Sequence, residues 1–326
     1  MTVPPAASRP ALAPLRHVGV GESPRRRAQR LRERVISALL QACAFTGVAG
    51  LLLIMVFVFR EALPVFLDPE VKKEASLSAF FATGMWQPVG DVPKYGIAPL
   101  LIGTLKVVVA AMVFAVPLGV MAAVFASEFA KPALREALKP VIEILAGIPS
   151  VVLGFFALIV LASWLQAVTG AVSRLNALNA GVALGLGIIP TVFTVSEDAL
   201  RAVPRSYREA SLALGASRWQ TAWFVTLPAA GAGVMAGILL GLARAVGETM
   251  IVLMASGNAA IISGNIFDSV RTLSASIAAE LAEVVFGGPH YSTLFFLGGL
   301  LFVMTFGINV VAGLFVERLR RQLGGA

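Results

Sequence analysis

Two charged residues stand in the middle of a long apolar stretch of this 326-residue chain. Arg244 and Glu248 occur in GLARAVGETM, within a run from about 230 to 255 that is otherwise apolar enough to cross a membrane. A charged side chain near the bilayer centre costs at least about 2.5–3.5 kcal/mol, so it normally faces a partner or a water-filled path. Their four-residue spacing places both on one helix face, where they can form an ion pair.

Two interpretations of this pair stay open at the level of the residues. Arg244 and Glu248 could form a structural salt bridge between packed helices. Alternatively, they could be a cationic site on a pathway for an anion, with Glu248 positioning the guanidinium group. Arginine suits a tetrahedral oxyanion because its planar fork can donate two parallel hydrogen bonds.

Glycine and proline residues interrupt two other apolar runs. GIPS breaks the third predicted span and GLGIIP breaks the fourth. Broken helices at membrane depth are tolerated where they line a cavity, and the amino terminus of a half-helix there can face an anion. A simple packing kink is the alternative. The candidate breaks that could line a pathway are Gly147, Pro149, Ser150 and Pro190.

The composition indicates the elements that carry these residues. The chain is 58% hydrophobic and only 13% charged, whereas soluble domains average about 25% charged residues. We therefore expect an all-α polytopic membrane protein. Its six transmembrane helices are expected at about 35–59, 100–126, 141–165, 179–195, 230–255 and 293–316.

The distribution of Lys and Arg predicts the orientation of these spans. Of 26 such residues, 18 lie in segments that a cytoplasmic amino terminus would place inside and 6 in segments outside. This bias places both termini in the cytoplasm. We do not interpret the net charge of +8 as nucleic-acid binding, since no stacking aromatics are interleaved with the basic residues.

The same reading divides the chain into segments. Residues 1–34 are expected to be a disordered basic cytoplasmic tail, and 35–59 a first transmembrane anchor. An extracytoplasmic loop (60–96) and a five-span transmembrane domain (97–316) follow, and 317–326 form a cytoplasmic tail.

A polar, helix-prone island lies between the fourth and fifth spans, from Tyr207 to Pro228; we call it the elbow. Arg205 to Leu214 should form a short helix that ends at Gly215, because glycine enters the left-handed conformation without a steric penalty. A second helical segment should run from Ser217 and stop at Pro228. A rigid element of this kind on the membrane surface suits docking to a partner protein, and an ordinary loop is the alternative.

Several chemistries lack their motifs in this sequence. No GxxxxGK[ST] phosphate loop is present, so we expect the chain itself to bind no ATP and to be no enzyme. There is no HExxH or GxSxG within the spans. The two histidines are too few and too far apart for a typical zinc site, so no metal site is expected.

The elbow resembles the signature EAA---G---------I-LP of permease subunits in binding-protein-dependent ABC importers. It departs from that pattern at Ser211, where alanine is usual, and at Val225, where isoleucine is usual. The resemblance implies the type I importer permease fold and a coupling helix at 205–216 seated in a cytoplasmic ATPase subunit. The matching residues are Glu209, Ala210, Ser211, Gly215, Leu227 and Pro228.

Shorter runs are similar to the phosphate-specific members of that family. RAVGETM, IEILAGIPSVVLG and YGIAPLLIGTL look like the PstC and PstA type, and RTLSASIAAELAEV favours PstC. The resemblance implies that Arg244, Glu248 and Thr249 lie on the phosphate path. It also implies a PstA-like second permease subunit, PstB-like ATPase subunits that hold ATP and Mg, and a PstS-like extracytoplasmic phosphate-binding protein, all at a bacterial inner membrane.

Three alternative functions stay open at the level of the sequence. The chain could be the PstA-type partner, or a permease for another oxyanion such as molybdate or sulfate. A channel or secondary transporter that needs no ATPase belongs to a different class, and it leaves the elbow without an explanation.

Overall fold

The computed structural model describes residues 24–322, and this part of the chain is helical along most of its length. The α-helices are α1 (Pro24–Ala62), α2 (Pro64–Leu67), α3 (Pro69–Glu74), α4 (Leu77–Ala82), α5 (Ala98–Val124), α6 (Pro132–Gly147), α7 (Ser150–Phe156), α8 (Ala162–Thr169), α9 (Ala177–Ala202), α10 (Arg205–Ala213), α11 (Arg218–Thr221), α12 (Leu227–Ala229), α13 (Gly231–Gly247), α14 (Met250–Ala255), α15 (Leu273–Glu280) and α16 (Pro289–Gln322). Wider π-helical turns occur at Phe125–Phe129, Ala157–Leu161 and Ala222–Thr226.

Five helical segments are long and apolar enough to cross a membrane. They are Arg32–Leu67, Ala98–Phe129, Ser150–Thr169, Ala177–Ala202 and Pro289–Leu319. The helical stretch Arg218–Ala229 and α13 pass the same test together, with a bend of 72° between them. Counting this bent pair as one span gives six, so the predicted all-α, six-span architecture is confirmed.

The third span begins later than predicted. Residues 132–147 form the separate amphipathic helix α6, which has no fully buried side chain, and the span starts at Ser150 rather than at 141. Ile148 leaves the helical region (ψ 124°) because the ring of Pro149 disfavours helical backbone at the residue before it. The break at Gly147, Pro149 and Ser150 therefore lies at the beginning of the span and not within it.

The predicted break in the fourth span is wrong. Helix α9 continues through Pro190, which is buried, from Ala177 to Ala202. A proline removes one backbone hydrogen bond and strains the helix. Here α9 is the most enclosed of the candidate spans, and packing on several sides holds it helical.

Helix occupies the described parts of both predicted tails. Helix α1 begins at Pro24, so 24–34 are helical rather than disordered, and the rest of the predicted tail lies outside the described residues. At the other end α16 continues to Gln322, and 323–326 also lie outside them. The chain divides into two compact units between Ile54 and Met55.

The first unit, where described, is the amino-terminal part of α1. In the second unit, the predicted outer loop (60–96) contains α2, α3, α4 and a hairpin. Strands β1 (Trp86–Gln87) and β2 (Lys94–Tyr95) pair antiparallel, with Trp86 opposite Tyr95.

Helix α9 lies at the centre of the second unit, packed against α5 and α13. Its contacts with α5 use small residues: a Cβ atom at Gly181 would come within 2.4 Å of the Cβ of Ala110, and one at Gly185 within 3.2 Å of the backbone carbonyl oxygen of Ala111. Small residues let helix backbones approach closely, which is the main source of helix association in a membrane. This packing fixes the position of α13, the helix that carries Arg244.

Candidate functional site

Arg244 lies near the carboxyl end of α13 and is exposed in the isolated chain. Its Nη1 donates a hydrogen bond of 3.0 Å to Oγ1 of Thr191, which lies in the middle of α9. Among the described residues no carboxylate forms an ion pair with Arg244 within 4.0 Å. The guanidinium group therefore keeps most of its five N–H donors available for a ligand.

The expected ion pair between Arg244 and Glu248 is absent from the described structure. Helix α13 ends at Gly247, and Glu248 has an extended backbone (φ −69°, ψ 133°). The four-residue spacing brings side chains together only while the helix continues. The Glu248 carboxylate instead accepts a hydrogen bond of 3.2 Å from the backbone N–H of Thr249.

The fifth span is thus broken at Glu248 and Thr249, where no break was predicted. Hydroxyl groups satisfy two backbone carbonyls there: Ser274 donates to the carbonyl of Glu248 at 2.8 Å, and Thr249 donates to that of Gly247 at 3.3 Å. Irregular backbone inside a membrane protein requires such partners. A cavity of about 440 Å³ borders Thr249 and Ser274 at this break.

The segment after the break is supported from α7. Gly154 lies so close to α14 that a Cβ atom there would come within 3.1 Å of the backbone carbonyl oxygen of Met250. The helix that starts at Ser150 therefore packs against the broken span. The GIPS break and the Glu248 break consequently belong to neighbouring elements.

The elbow has the predicted local structure at its first corner. Helix α10 ends at Ala213, and Gly215 has a φ of +87°. Ser217 then caps α11 through a reciprocal capping box with Gln220. We predicted that the second helical segment would stop at Pro228, but the short helix α12 extends to Ala229. Pro228 lies in the first turn of α12, where its missing N–H costs nothing.

The signature residues of the elbow divide into exposed and packed ones. Glu209, Ala210 and Pro228 are exposed, whereas Leu227 is half-buried. Ser211, one of the departures from the family pattern, shares a hydrogen bond of 3.0 Å with Thr221. This bond joins α10 to α11, so the hydroxyl group stabilises the corner.

An ion pair that the sequence did not suggest holds the elbow against the rest of the chain. Arg208 contacts both carboxylate oxygens of Glu128, at 2.7 Å and 3.0 Å. Arg208 also donates to the backbone carbonyls of Leu200 and Val203, each at 2.8 Å. A fork-shaped contact of this kind is among the stronger charged hydrogen bonds.

A cleft of about 500 Å³ opens beside this ion pair. Five arginines and two glutamates line it, together with smaller groups. Arg208 pairs with Glu128, and Arg201 pairs with the buried Glu197 at 3.2 Å, whereas Arg205 and Arg218 form no ion pair within 4.0 Å among the described residues. The arginines are Arg135, Arg201, Arg205, Arg208 and Arg218.

A second charged cluster, also missed, lies around Glu280 in the segment after α14. Its carboxylate accepts a hydrogen bond from Trp86 Nε1 at 3.0 Å and pairs with Arg271 at 2.7 Å and His290 at 2.9 Å. Burial, reinforced by nearby carboxylates, raises the pKa of Tyr95 to about 12. Through these contacts Glu280 of α15 binds Trp86 of the hairpin and His290 of α16.

Comparison with known proteins identifies the family. Residues 115–321 match the protein family described as "Binding-protein-dependent transport system inner membrane component". The chain is 36% identical over 281 residues to the probable ABC transporter permease protein YqgH of Bacillus subtilis, covering 86% of this chain and 89% of that protein. It is 32% identical over 295 residues to the phosphate transport system permease protein PstC of Mesorhizobium japonicum, covering 85% and 89%.

Solved structures share the fold. A bacterial ABC transporter involved in the import of the acidic polysaccharide alginate superposes with a TM-score of 0.59 at 15% identity, covering 90% of this chain and 99% of that one. The MetNI methionine ABC transporter, in an inward-facing conformation, gives a TM-score of 0.52 at 20% identity, covering 69% and 94%. With its apolar spans and its elbow, the chain belongs to the family of binding-protein-dependent transport system inner membrane components, and it is a multi-pass permease subunit of an ABC importer.

Proposed function

We propose that this chain carries inorganic phosphate across the cytoplasmic membrane as one permease subunit of an ATP-driven importer. The proposal rests on Arg244, an exposed arginine close to a helix break in a membrane span; among the described residues its side chain donates to one hydroxyl group and pairs with no carboxylate. Phosphate offers several oxygens to the free donors of such a group. Relatives named as phosphate permeases of the PstC type support this choice of substrate.

Glu248 and Thr249, which form the break itself, complete the proposed site. Glu248 lies within hydrogen-bond reach of the Thr249 backbone and not of Arg244, so it leaves the cation uncompensated. An arginine without a carboxylate partner attracts an anion more strongly between membrane spans than in bulk water, because the effective dielectric there is lower. Glu248 would then limit how tightly the anion is held.

The proposed complex needs three kinds of partner. The elbow, with Glu209 and Ala210 exposed, would seat in a PstB-like ATPase subunit that binds ATP and Mg. A PstA-like second permease subunit would complete the transmembrane pathway, and a PstS-like binding protein would deliver phosphate from outside. Movement of the ATPase subunits would reach the spans through the Arg208–Glu128 pair.

The first experiment measures phosphate uptake by membrane vesicles loaded with ATP that carry the assembled transporter. Arg244→Ala should lower uptake at least about tenfold, because it removes charge-assisted hydrogen bonds worth about 1.5–3 kcal/mol each. Arg174→Ala is the matched control, since Arg174 is also exposed and donates one hydrogen bond to a hydroxyl group, that of Ser163. Normal uptake by an Arg244→Ala, Glu248→Ala double variant would contradict the assignment of the pathway.

A second measurement separates phosphate from molybdate and sulfate. Each unlabelled anion is tested for its ability to inhibit the uptake of labelled phosphate in the presence of the binding protein. Phosphate alone should compete at concentrations near that of the label. Equal or stronger competition by molybdate or sulfate would replace the substrate and leave the permease assignment intact.

A further inference from the structure

Helix α9 exposes different residues from the other spans. Its exposed residues are Thr194, Asp198, Arg201 and Ala202, and it exposes no large apolar side chain. The other spans of the second unit do expose such side chains, for example Val113 in α5, Val160 after α7 and Phe306 in α16. The exposed positions of α9 all lie in its last nine residues, and three of the four are polar, whereas the exposed positions of its neighbours include large apolar side chains.

A polar surface of this kind does not suit contact with lipid tails. Charged side chains are expensive in hydrocarbon, and those found in membrane spans face the protein interior or water. Thr191, Thr194, Asp198 and Arg201 follow one another at steps of three, four and three residues, which places them on one face of the helix. We call this set the polar stripe.

The polar stripe connects the two functional regions. At one end, Thr191 accepts the hydrogen bond from Arg244. At the other end, Arg201 lines the arginine-rich cleft beside the elbow. Ten residues of α-helix separate Thr191 from Arg201, a length of about 15 Å, or half the hydrocarbon thickness.

The side chains of the stripe are suited to passing an anion along. Within the described residues, Thr191 accepts from Arg244 and has no recorded acceptor of its own, so its O–H hydrogen is free to donate. Thr194 offers a second uncharged hydroxyl group. Asp198 repels an anion, which prevents tight binding midway, and transit requires sites that are favourable enough to enter and weak enough to leave.

We propose that the polar stripe lines the elbow-side half of an oxyanion route that runs from Arg244 to the arginine-rich cleft. This inference rests on the proposed transport function and adds the residues that line the route beyond Arg244. The stripe faces water in the assembled transporter. The alternative, that a second permease subunit covers it, is an outcome of the test.

The experiment uses the single cysteine of the chain. Replacing it (Cys43→Ser) leaves no native thiol, so Thr194→Cys adds a unique one. Inside-out vesicles carrying the assembled transporter are treated with a membrane-impermeant, negatively charged thiol reagent, without nucleotide and with a non-hydrolysable ATP analogue. Val113→Cys is the matched control: it is exposed on a span, but among apolar neighbours, where a thiolate does not form.

Thr194→Cys should react at least about tenfold faster than Val113→Cys in one of the two nucleotide states, and inorganic phosphate should slow the reaction. If Thr194→Cys is as unreactive as Val113→Cys in both states, the route is wrong, whichever anion is carried. If sulfate or molybdate protects and phosphate does not, the route is supported and phosphate is excluded as the substrate. Reaction that no anion slows would show that the stripe is wet without being on the route, and would overturn the proposal.

Discussion

At the scale of the residue, the Arg208–Glu128 ion pair is the main charged contact between the elbow and the spans. The side chain of Glu128 is 9% exposed and that of Arg208 is 21% exposed. Removing one partner of a largely buried pair leaves the other charge uncompensated. This contact therefore joins α10 to the π-helical turn that follows α5.

Glu128→Gln should loosen the elbow by on the order of 3 kcal/mol. Amide hydrogen exchange in α10 should then become about a hundredfold faster, since each 1.4 kcal/mol corresponds to a factor of ten. The measurement is hydrogen exchange of the purified complex, followed by mass spectrometry. Glu136→Gln on the exposed face of α6 is the control, because Glu136 forms no ion pair within 4.0 Å among the described residues. Equal exchange in both variants would show that the pair does not hold the elbow.

At the scale of the element, the elbow and the break at Glu248 follow from different causes. The chain turns at Gly215, whose φ of +87° is accessible to glycine without a steric penalty. This is a local property of the residue. At the break after Gly247, the backbone carbonyl of Glu248 accepts a hydrogen bond from Ser274, which lies 26 positions further along the chain. A local pattern therefore predicted the first element, whereas no local pattern indicated the second.

Gly215→Pro should uncouple transport from ATP hydrolysis while the protein still inserts into the membrane. Proline fixes φ near −65° and cannot reproduce the turn, so α10 and α11 lose their relative orientation. The measurements are phosphate uptake and co-purification of the ATPase subunit.

Gly170→Pro provides a closely matched control. Gly170 also ends a helix, has a φ of +70° and has no atom near the position of a Cβ. Both substitutions disturb a similar turn, but only Gly215 lies in the elbow. Retained ATPase binding and uptake in Gly215→Pro would refute the coupling role, and equal loss in both variants would indicate a general folding defect.

At the scale of the whole molecule, the orientation in the membrane decides what each end of the polar stripe faces. The excess of Lys and Arg predicts that the elbow lies inside and the hairpin segment outside. Two strongly exposed positions can report this: Leu214 on the elbow is 89% exposed, and Val89 beside the hairpin is 80% exposed.

In a Cys43→Ser background without the ATPase subunit, an impermeant thiol reagent should label Leu214→Cys in inside-out vesicles and Val89→Cys in right-side-out vesicles. Each is the control for the other, because both thiols are exposed and only their side of the membrane differs. The reverse pattern would invert the topology. It would also place the arginine-rich cleft outside, where it could not receive an imported anion.

The sequence by itself determined the features that depend on neighbouring residues. Apolar runs of about 20 residues predicted the spans, because hydrocarbon excludes polar side chains whatever the fold. The spacing from Glu209 to Pro228 predicted the elbow, because a glycine turn and a helix end are set within a few residues. The start of the third span was predicted wrongly, because residues 141–147 are apolar enough to resemble part of a span. Pro149 separates them from it, and the span begins at Ser150.

Only the tertiary structure decided which distant groups meet. Glu128 and Arg208 are 80 residues apart, and Thr191 and Arg244 are 53 apart, so no local pattern could join them. The expected Arg244–Glu248 pair is absent because α13 ends one residue before Glu248, whose backbone carbonyl accepts a hydrogen bond from Ser274 of α15. The sequence thus determined that a charged site lies within a span, and the packing of α9 and α13 decided that Arg244 faces a hydroxyl group and an open polar surface instead of a carboxylate.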